Sequence, residues 1–351
     1  MNKRFLFYIG HPAHFYNFSV IAEKLVREKH SVLLVVRKRK IVEDLVRQSK
    51  FDYIFVSNKK KGASRLSLIW SVLNREFEVW RIIKRFKPDL MAGTDIVITH
   101  LGKLFNIPAI VLCDDDSSVV PLLSSFGFRF ATAVVCPKVC DITPYNYKKI
   151  GYSGLQKMTY LHPKYFSPNK ELIKDYIDIK QKYFLIRLVQ LTAHHDKGIS
   201  GINDKVLDNI IDKLTPYGRV YISCERSIPE KYNKYKLSAP PNLIHHIMHY
   251  ASLFISDSQS MTVESCILAV PSIRFSEFAG KISVLEELEK KYKLTFGISP
   301  SNEQELLSRI QELIADNNIK DEWVLRRDKM LGSMIDVSEF IYELFKKKSK
   351  N

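Results

Sequence analysis

Residues 254–275 read Phe254-Ile-Ser-Asp-Ser-Gln-Ser-Met-Thr-Val-Glu-Ser-Cys-Ile-Leu-Ala-Val-Pro-Ser-Ile-Arg-Phe275. Leu253 to Ile255 is a short apolar run of the kind that fills a sheet core. Asp257 and Ser258 follow it, and both accept hydrogen bonds from the free amides of a helix start. Met261, Glu264, Ser265 and Leu268 recur three or four apart, the spacing of one helix face. Val270-Pro271 stops the helix, and Ser272 to Phe275 reads as the next strand. A strand that ends in small hydroxyl residues and opens a helix gathers several unpaired N–H groups at one point. Such a point attracts anions, phosphate above all. The same pattern also serves an ordinary capped helix that holds no ligand.

Outward from this stretch the unit repeats. On the N-terminal side, Phe5 to Ile9 is a strand, Gly10-His-Pro-Ala-His14 the loop after it, and Phe18 to Glu28 a helix with Val20, Ile21, Leu25 and Val26 inward. Strands at Ser31–Val36, Tyr53–Val56, Asp89–Ala92, Pro108–Leu112 and Ala133–Cys136 alternate with helices at Ile41–Gln48, Leu66–Phe86 and Ile96–Phe105. Tyr145–Gly154 and Tyr160–Pro168 follow neither period and read as a connector. A second series starts with strands at Tyr183–Gln190 and Arg219–Ser223, a helix over Asn203–Leu214, a short strand at Leu243 and a helix over His246–Ala251. After the opening stretch come helices at Lys281–Glu289 and Asn302–Ala315. A final helix, Val337–Phe345, buries Phe340, Ile341, Leu344 and Phe345. Uninterrupted apolar strands joined by helices mean parallel sheets covered on both faces, with chemistry on the loops at the strands' carboxyl ends. The expected fold class is therefore α/β, two Rossmann-like domains whose parallel sheets face a central cleft, a favoured ligand site.

The chain has 351 residues, 46% of them hydrophobic and 26% charged, which suits two soluble domains rather than one core. Its formal charge of +16 is the unusual number. It is spread over Arg37–Lys40, Lys59–Lys61, Arg81–Lys87, Lys290–Lys293 and Lys346–Lys350, and it favours acidic partners: phosphorylated substrate or an anionic membrane surface. Neither zinc-finger spacing nor an aromatic-basic RNA signature accompanies the charge, so nucleic acid is the weaker choice. Five cysteines, an odd count lying mostly in apolar runs, argue for buried thiols and against a disulfide scaffold or zinc. The apolar run before His11 is too short for a signal peptide, and no stretch suits a membrane span. The expected location is the cytoplasm, on the inner membrane face if the basic surface meets lipid.

Four stretches together resemble a bacterial and archaeal family of uncharacterised proteins related to GT-B glycosyltransferases and to non-hydrolysing UDP-N-acetylglucosamine 2-epimerases. They are Gly10-His-Pro-Ala-His-Phe15, Gly151-Tyr-Ser-Gly-Leu-Gln-Lys-Met-Thr-Tyr-Leu161, Arg187 with Ala193-His-His-Asp-Lys-Gly198, and Asp257-Ser-Gln-Ser-Met-Thr-Val-Glu264. The resemblance implies an acceptor domain over 1–165, a nucleotide-sugar donor domain over 166–330, and a helix and basic tail over 331–351 that return to the first domain. It implies that Ser258, Gln259, Ser260 and Met261 surround the donor diphosphate, with Glu264 near the ribose or sugar. Arg187, His194 and His195 would line the same cleft. The implied activity is transfer of a sugar, from a UDP-sugar by preference, to a glycan or lipid-linked acceptor in cell-surface polysaccharide synthesis.

A transferase needs a base on the acceptor side, at the carboxyl end of a strand. His14 is the first choice and Asp95 the second, with His11, Asp114, Asp115 and Asp116 also on that side. Structural roles compete with each: His14 as part of a helix cap, Asp95 as the N-cap of the helix from Ile96, His194-His195-Asp196 as adjacent side chains that point apart. No metal or other cofactor is expected, since helix ends and basic side chains suffice for a diphosphate. The epimerases carry a Glu-Ala-Gly-Leu-Arg signature where this chain has Val111-Leu-Cys-Asp-Asp-Asp-Ser-Ser118, which weighs against epimerase activity. Epimerisation and non-catalytic nucleotide-sugar binding are the alternatives.

Overall fold

A computed structural model describes residues 2–57, 65–189 and 201–350, with the backbone alone for 65–69. The chain divides into two units, Met1–Tyr160 with Ile335–Asn351, and Leu161–Met334.

Unit 1 is built on seven strands: β1 (Arg4–Ile9), β2 (Ser31–Arg37), β3 (Asp52–Val56), β4 (Leu90–Gly93), β5 (Ala109–Leu112), β6 (Ala133–Pro137) and β7 (Lys149–Tyr152). All pair in parallel, in the order β3-β2-β1-β4-β5-β6-β7. The connecting helices are α1 (Pro12–Arg27), α2 (Lys40–Arg47), α3 (Arg65–Phe86), α4 (Ile96–Phe105), the short α5 (Pro121–Leu123) and α6 (Met158–Leu161). Helices on both faces explain why β1 is apolar at nearly every position. Leu6 and Tyr8 point to one face, where they meet Val79 and Ile83 of α3 and Val97 and Ile98 of α4. Phe7 points to the other face and stacks on Phe18 of α1, with ring centroids 4.6 Å apart.

Unit 2 repeats the plan with β8 (Tyr183–Leu188), β9 (Arg219–Cys224), β10 (Leu253–Ser256), β11 (Ser272–Phe275) and β12 (Phe296–Ile298). Its parallel sheet runs β12-β11-β10-β8-β9. The helices are α7 (Asp204–Leu214), α8 (Ile244–Tyr250), α9 (Gln259–Ile267), α10 (Ser283–Glu286), α11 (Glu303–Ala315) and α12 (Ile319–Gly332). Both units are Rossmann-like, as the alternating pattern predicts.

The last helix, α13 (Val337–Lys348), returns to unit 1. Phe345 packs 5.7 Å from Phe7, and Lys24 of α1 pairs with Glu339 at 2.6 Å. Gly154 makes room for this return: a Cβ there would stand 2.4 Å from Val337 Cγ2.

Several expectations need correction. Pro12-Ala-His14 is not loop but the first turn of α1, because proline at the first helical position gives up an amide that has no acceptor there anyway. On that helix Phe18 and Ala22 are buried while Val26 is exposed. The connector contains β7, a four-residue edge strand. Leu243 ends a 3-10 turn that starts at Pro241 and is not a strand. On α13 the buried residues are Val337, Ser338, Ile341, Tyr342 and Phe345, with Phe340 and Leu344 only partly covered. Neither β12 nor α12 is foreseen. Lys59–Lys61, Gln190 and the Ala193–Gly198 loop lie outside the described residues.

Candidate functional site

In unit 2 the site grows from the end of β10. Ser258 is the N-cap of α9: its Oγ accepts from the Met261 amide at 3.3 Å, and its own amide donates to Ser256 Oγ at 2.7 Å. The first amides of a helix have no intrahelical acceptor, so those of Gln259 and Ser260 stand at the positive end of the α9 dipole. Gln259 is held in place by its neighbours. Its Oε1 accepts from Arg274 Nη1 at 2.8 Å, and its Nε2 donates to Ser276 Oγ at 2.9 Å. Arg274 is fully buried on β11, also donates to the Phe278 carbonyl at 3.0 Å, and lies near Glu289 and Glu286. Gly297 leaves space for this group, since a Cβ there would come within 2.9 Å of Arg274 Nη2.

The remaining donor-side residues have partners inside unit 2. Glu264 is buried with its Oε2 3.2 Å from His245 Nε2 on α8. Arg187, at the end of β8, donates to Ser223 Oγ at 2.6 Å and pairs with Glu225. Asp257 turns away from α9: its Oδ1 accepts from the Val189 amide at 2.8 Å, and burial pushes its carboxyl up to about 6. Met261 and Ser260 are half-buried on the first turn of α9. His194 and His195 lie outside the described residues.

In unit 1 the loop after β1 holds two histidines with separate duties. His11 is the N-cap of α1, its Nδ1 accepting from the Ala13 amide at 3.2 Å. His14 Nδ1 accepts from the Gly10 amide at 3.4 Å, which leaves the proton of the neutral ring on Nε2. Burial, then the fields of His11 and Lys157, hold His14 well below its ordinary pKa, so the ring is neutral at pH 7. Asp95 is the N-cap of α4, accepting from the Val97 amide at 3.0 Å. It shares its surroundings with Tyr8, Arg37 and the buried Arg75.

The three aspartates after β5 are not equivalent. Asp114 pairs with the buried Lys157 at 3.0 Å. Asp116 accepts from the Asp141 amide at 2.6 Å and holds the loop together. Asp115 has its carboxyl pushed up to about 7, by burial first and then by the charge of Asp114. Lys157 acts on both Asp114 and His14, so it joins the loop after β1 to the loop after β5. Lys157 and Arg274 are not among the candidates that the sequence singles out. Lys157 stands in the quoted Gly151–Leu161 stretch, and Arg274 is a charge inside an otherwise apolar strand.

Among the described residues, no group of three or more His, Cys, Asp or Glu is arranged to hold a metal ion, and the five cysteines are free. Nor is any described helix long and apolar enough to cross a membrane.

The family model described as "Protein of unknown function (DUF354)" matches residues 7–338. The chain belongs to that family. No curated protein sequence matches the DUF354 chain. Solved structures do match its fold. The spinosyn forosaminyltransferase SpnP is similar at 13% identity and a TM-score of 0.67, over 99% of this chain and 100% of that one. The UDP-GlcNAc 2-epimerase from Neisseria meningitidis bound to UDP-GlcNAc is similar at 14% identity and a TM-score of 0.66, over 98% and 100%. The calicheamicin glycosyltransferase CalG4 matches at 13% identity and a TM-score of 0.60, over 98% of both chains. The DUF354 chain thus has a GT-B-like fold, found in glycosyltransferases and nucleotide-sugar epimerases alike.

Proposed function

We propose that the protein is a metal-independent glycosyltransferase that moves a sugar from a nucleotide-diphosphate sugar, a UDP-sugar by preference, to a hydroxyl of a glycan or lipid-linked acceptor. Its place would be the cytoplasm, in cell-surface polysaccharide synthesis. The observation that carries the reading is the start of α9: two amides without intrahelical acceptors, beside a glutamine clamped by a buried arginine, at the carboxyl end of a parallel strand. This is a fixed, electropositive cradle suited to a diphosphate. In the reaction, the acceptor oxygen forms a bond to the anomeric carbon as the carbon–oxygen bond to the diphosphate breaks. The nucleoside diphosphate leaves with that electron pair, and a base on the acceptor side takes the hydroxyl proton.

His14 is the proposed base. It is neutral, as a base must be, but it has to present Nε2 bare, which means moving the ring proton to Nδ1 and giving up the long bond from Gly10. Asp115 is a second reading, favoured by its carboxyl lying at about 7, where a general base works best. Epimerase chemistry is the lesser alternative because Val111–Ser118 departs from the epimerase signature.

Titration calorimetry with UDP, GDP and their sugars tests the donor site. Ser260 is in the first turn of α9, where proline removes an amide that the helix does not use, together with the side-chain hydroxyl, and constrains Gln259 before it. Binding by the wild type that weakens about tenfold in Ser260→Pro is the expected result. If no nucleotide binds the wild type, the reading is lost. Binding without turnover on any acceptor favours the non-catalytic alternative.

A further inference from the structure

All four exposed Phe and Trp side chains among the described residues lie on neighbouring elements of unit 1: Trp70 (69% exposed) and Phe77 (52%) on α3, Phe126 (53%) on the π-helical turn Ser124–Phe128, and Phe130 just after it. Trp70, Leu73 and Phe77 are spaced three and four apart and form one stripe along α3. Leu104 (69% exposed) stands four residues beyond His100 on α4, and Leu122 four residues before Phe126. His100 ties the three elements together. Its Nδ1 lies 2.6 Å from Glu76 of α3, its Nε2 lies 2.9 Å from the Phe126 carbonyl, and its ring meets Phe130 edge-on at 5.0 Å. The exposed apolar side chains therefore make one surface.

The exposed charges around this surface are positive, and the two acidic residues of α3 are partly covered. Arg81 lies over Phe77 at 4.5 Å, Lys84 over Trp80 at 4.8 Å and Arg129 over Phe130 at 5.8 Å, and Lys103 is exposed beside Leu104. The acidic residues of α3 are drawn inward: Glu76 to His100, and Glu78 to the Ser57 amide at 2.7 Å. Aromatic rings rimmed by Lys and Arg suit the headgroup layer of an anionic bilayer, where the rings enter the boundary and the cations meet lipid phosphate. A second copy of the chain docking through the same patch would set positive rim against positive rim.

We infer that this face of α3, α4 and the turn after α5 is a docking surface for an anionic membrane. It extends the cellular placement in the proposed function but is separable from the chemistry, because vesicle binding is read without nucleotide or acceptor. The test is co-sedimentation of the full chain with phosphatidylcholine vesicles, with or without phosphatidylglycerol. The variant Trp70→Ser/Phe77→Ser/Phe126→Ser alters only exposed side chains, and its melting temperature checks that it folds. The wild type should bind phosphatidylglycerol vesicles about tenfold better than neutral ones and lose that advantage in high salt, and the triple variant should lose binding about tenfold or more. On vesicles, tryptophan emission should shift to the blue, and Trp70→Phe should remove the shift. Equal binding by wild type and triple variant overturns the inference. Vesicle-independent self-association that the triple variant abolishes also overturns it, in favour of a contact between copies.

Discussion

The carboxyl ends of the two sheets are built from different materials. At the end of β10, hydroxyls and an amide are locked by neutral hydrogen bonds and one buried guanidinium, so each side chain has a single place to be. At the ends of β1 and β5, the side chains are titratable: a histidine held below its ordinary range, a carboxyl pushed up to about 7, and a lysine buried against Asp114. At the end of β10 the one shifted acid, Asp257, is bonded to the Val189 amide, and the hydroxyls and amide that frame the start of α9 do not titrate. A set of shifted acids and bases moves protons. Under the proposed function, grip would fall to unit 2 and proton chemistry to unit 1.

Removing the base should break this contrast most severely. His14→Ala is expected to lower sugar transfer about 10²-fold while nucleotide affinity stays within about twofold. The pH profile separates His14 from Asp115. A base must be deprotonated, so a His14 mechanism, with its ring already neutral, changes little around pH 7, whereas an Asp115 mechanism rises through about pH 7. Full transfer by a stably folded His14→Ala protein moves the role to Asp115 or Asp95.

On the donor side the expected effect is smaller. Gln259→Ala should weaken nucleotide binding about tenfold and lower the melting temperature, because the fully buried Arg274 loses a hydrogen-bond partner. Arg274→Met should weaken binding by a similar factor and lower the melting temperature as well, because Glu286 and Glu289 lose the positive charge beside them. If Arg274→Met binds nucleotide as tightly as the wild type, the clamp on Gln259 has no part in grip.

The smallest effect sharpens the comparison through stability. In the folded chain Asp115 keeps its proton up to about pH 7, whereas in the unfolded chain it releases it near 3.8. The folded state therefore binds more protons between these values, and the contribution of Asp115 to stability falls as pH rises through them. Asp115→Asn should raise the melting temperature by about 2–4 °C at pH 8 and change it little near pH 4. An equal shift at both pH values would mean that the gain is not electrostatic.

Much of the fold is legible in local pattern, and the exceptions share causes. Ile96–Phe105 and Ser272–Phe275 are read to the residue because a cap or a proline marks their ends. The start of α1 is missed because Pro12 looks like a breaker, although proline is favoured at a first helical position. β7 hides because Lys149-Ile-Gly-Tyr152 is short and lies at the sheet's edge, and β12 because it has three residues. α12 buries only Trp323 and Met330, too few to show a stripe. In the sites, Ser258 and Asp95 are legible as caps, since capping acts over two or three residues. The pairs Lys157–Asp114 and Arg274–Gln259 are not, because folding alone brings those partners together.

The path of the chain has a consequence for its synthesis. Unit 2 is one continuous segment, but unit 1 is completed by α13, which is translated after unit 2. Until then Phe7 and Phe18 lack the ring of Phe345 that covers them, and Gly154 lacks Val337. Domains made first usually fold first as the chain emerges. Here unit 2 needs nothing translated after Met334, whereas unit 1 cannot cover Phe7 and Phe18 fully until α13 has emerged.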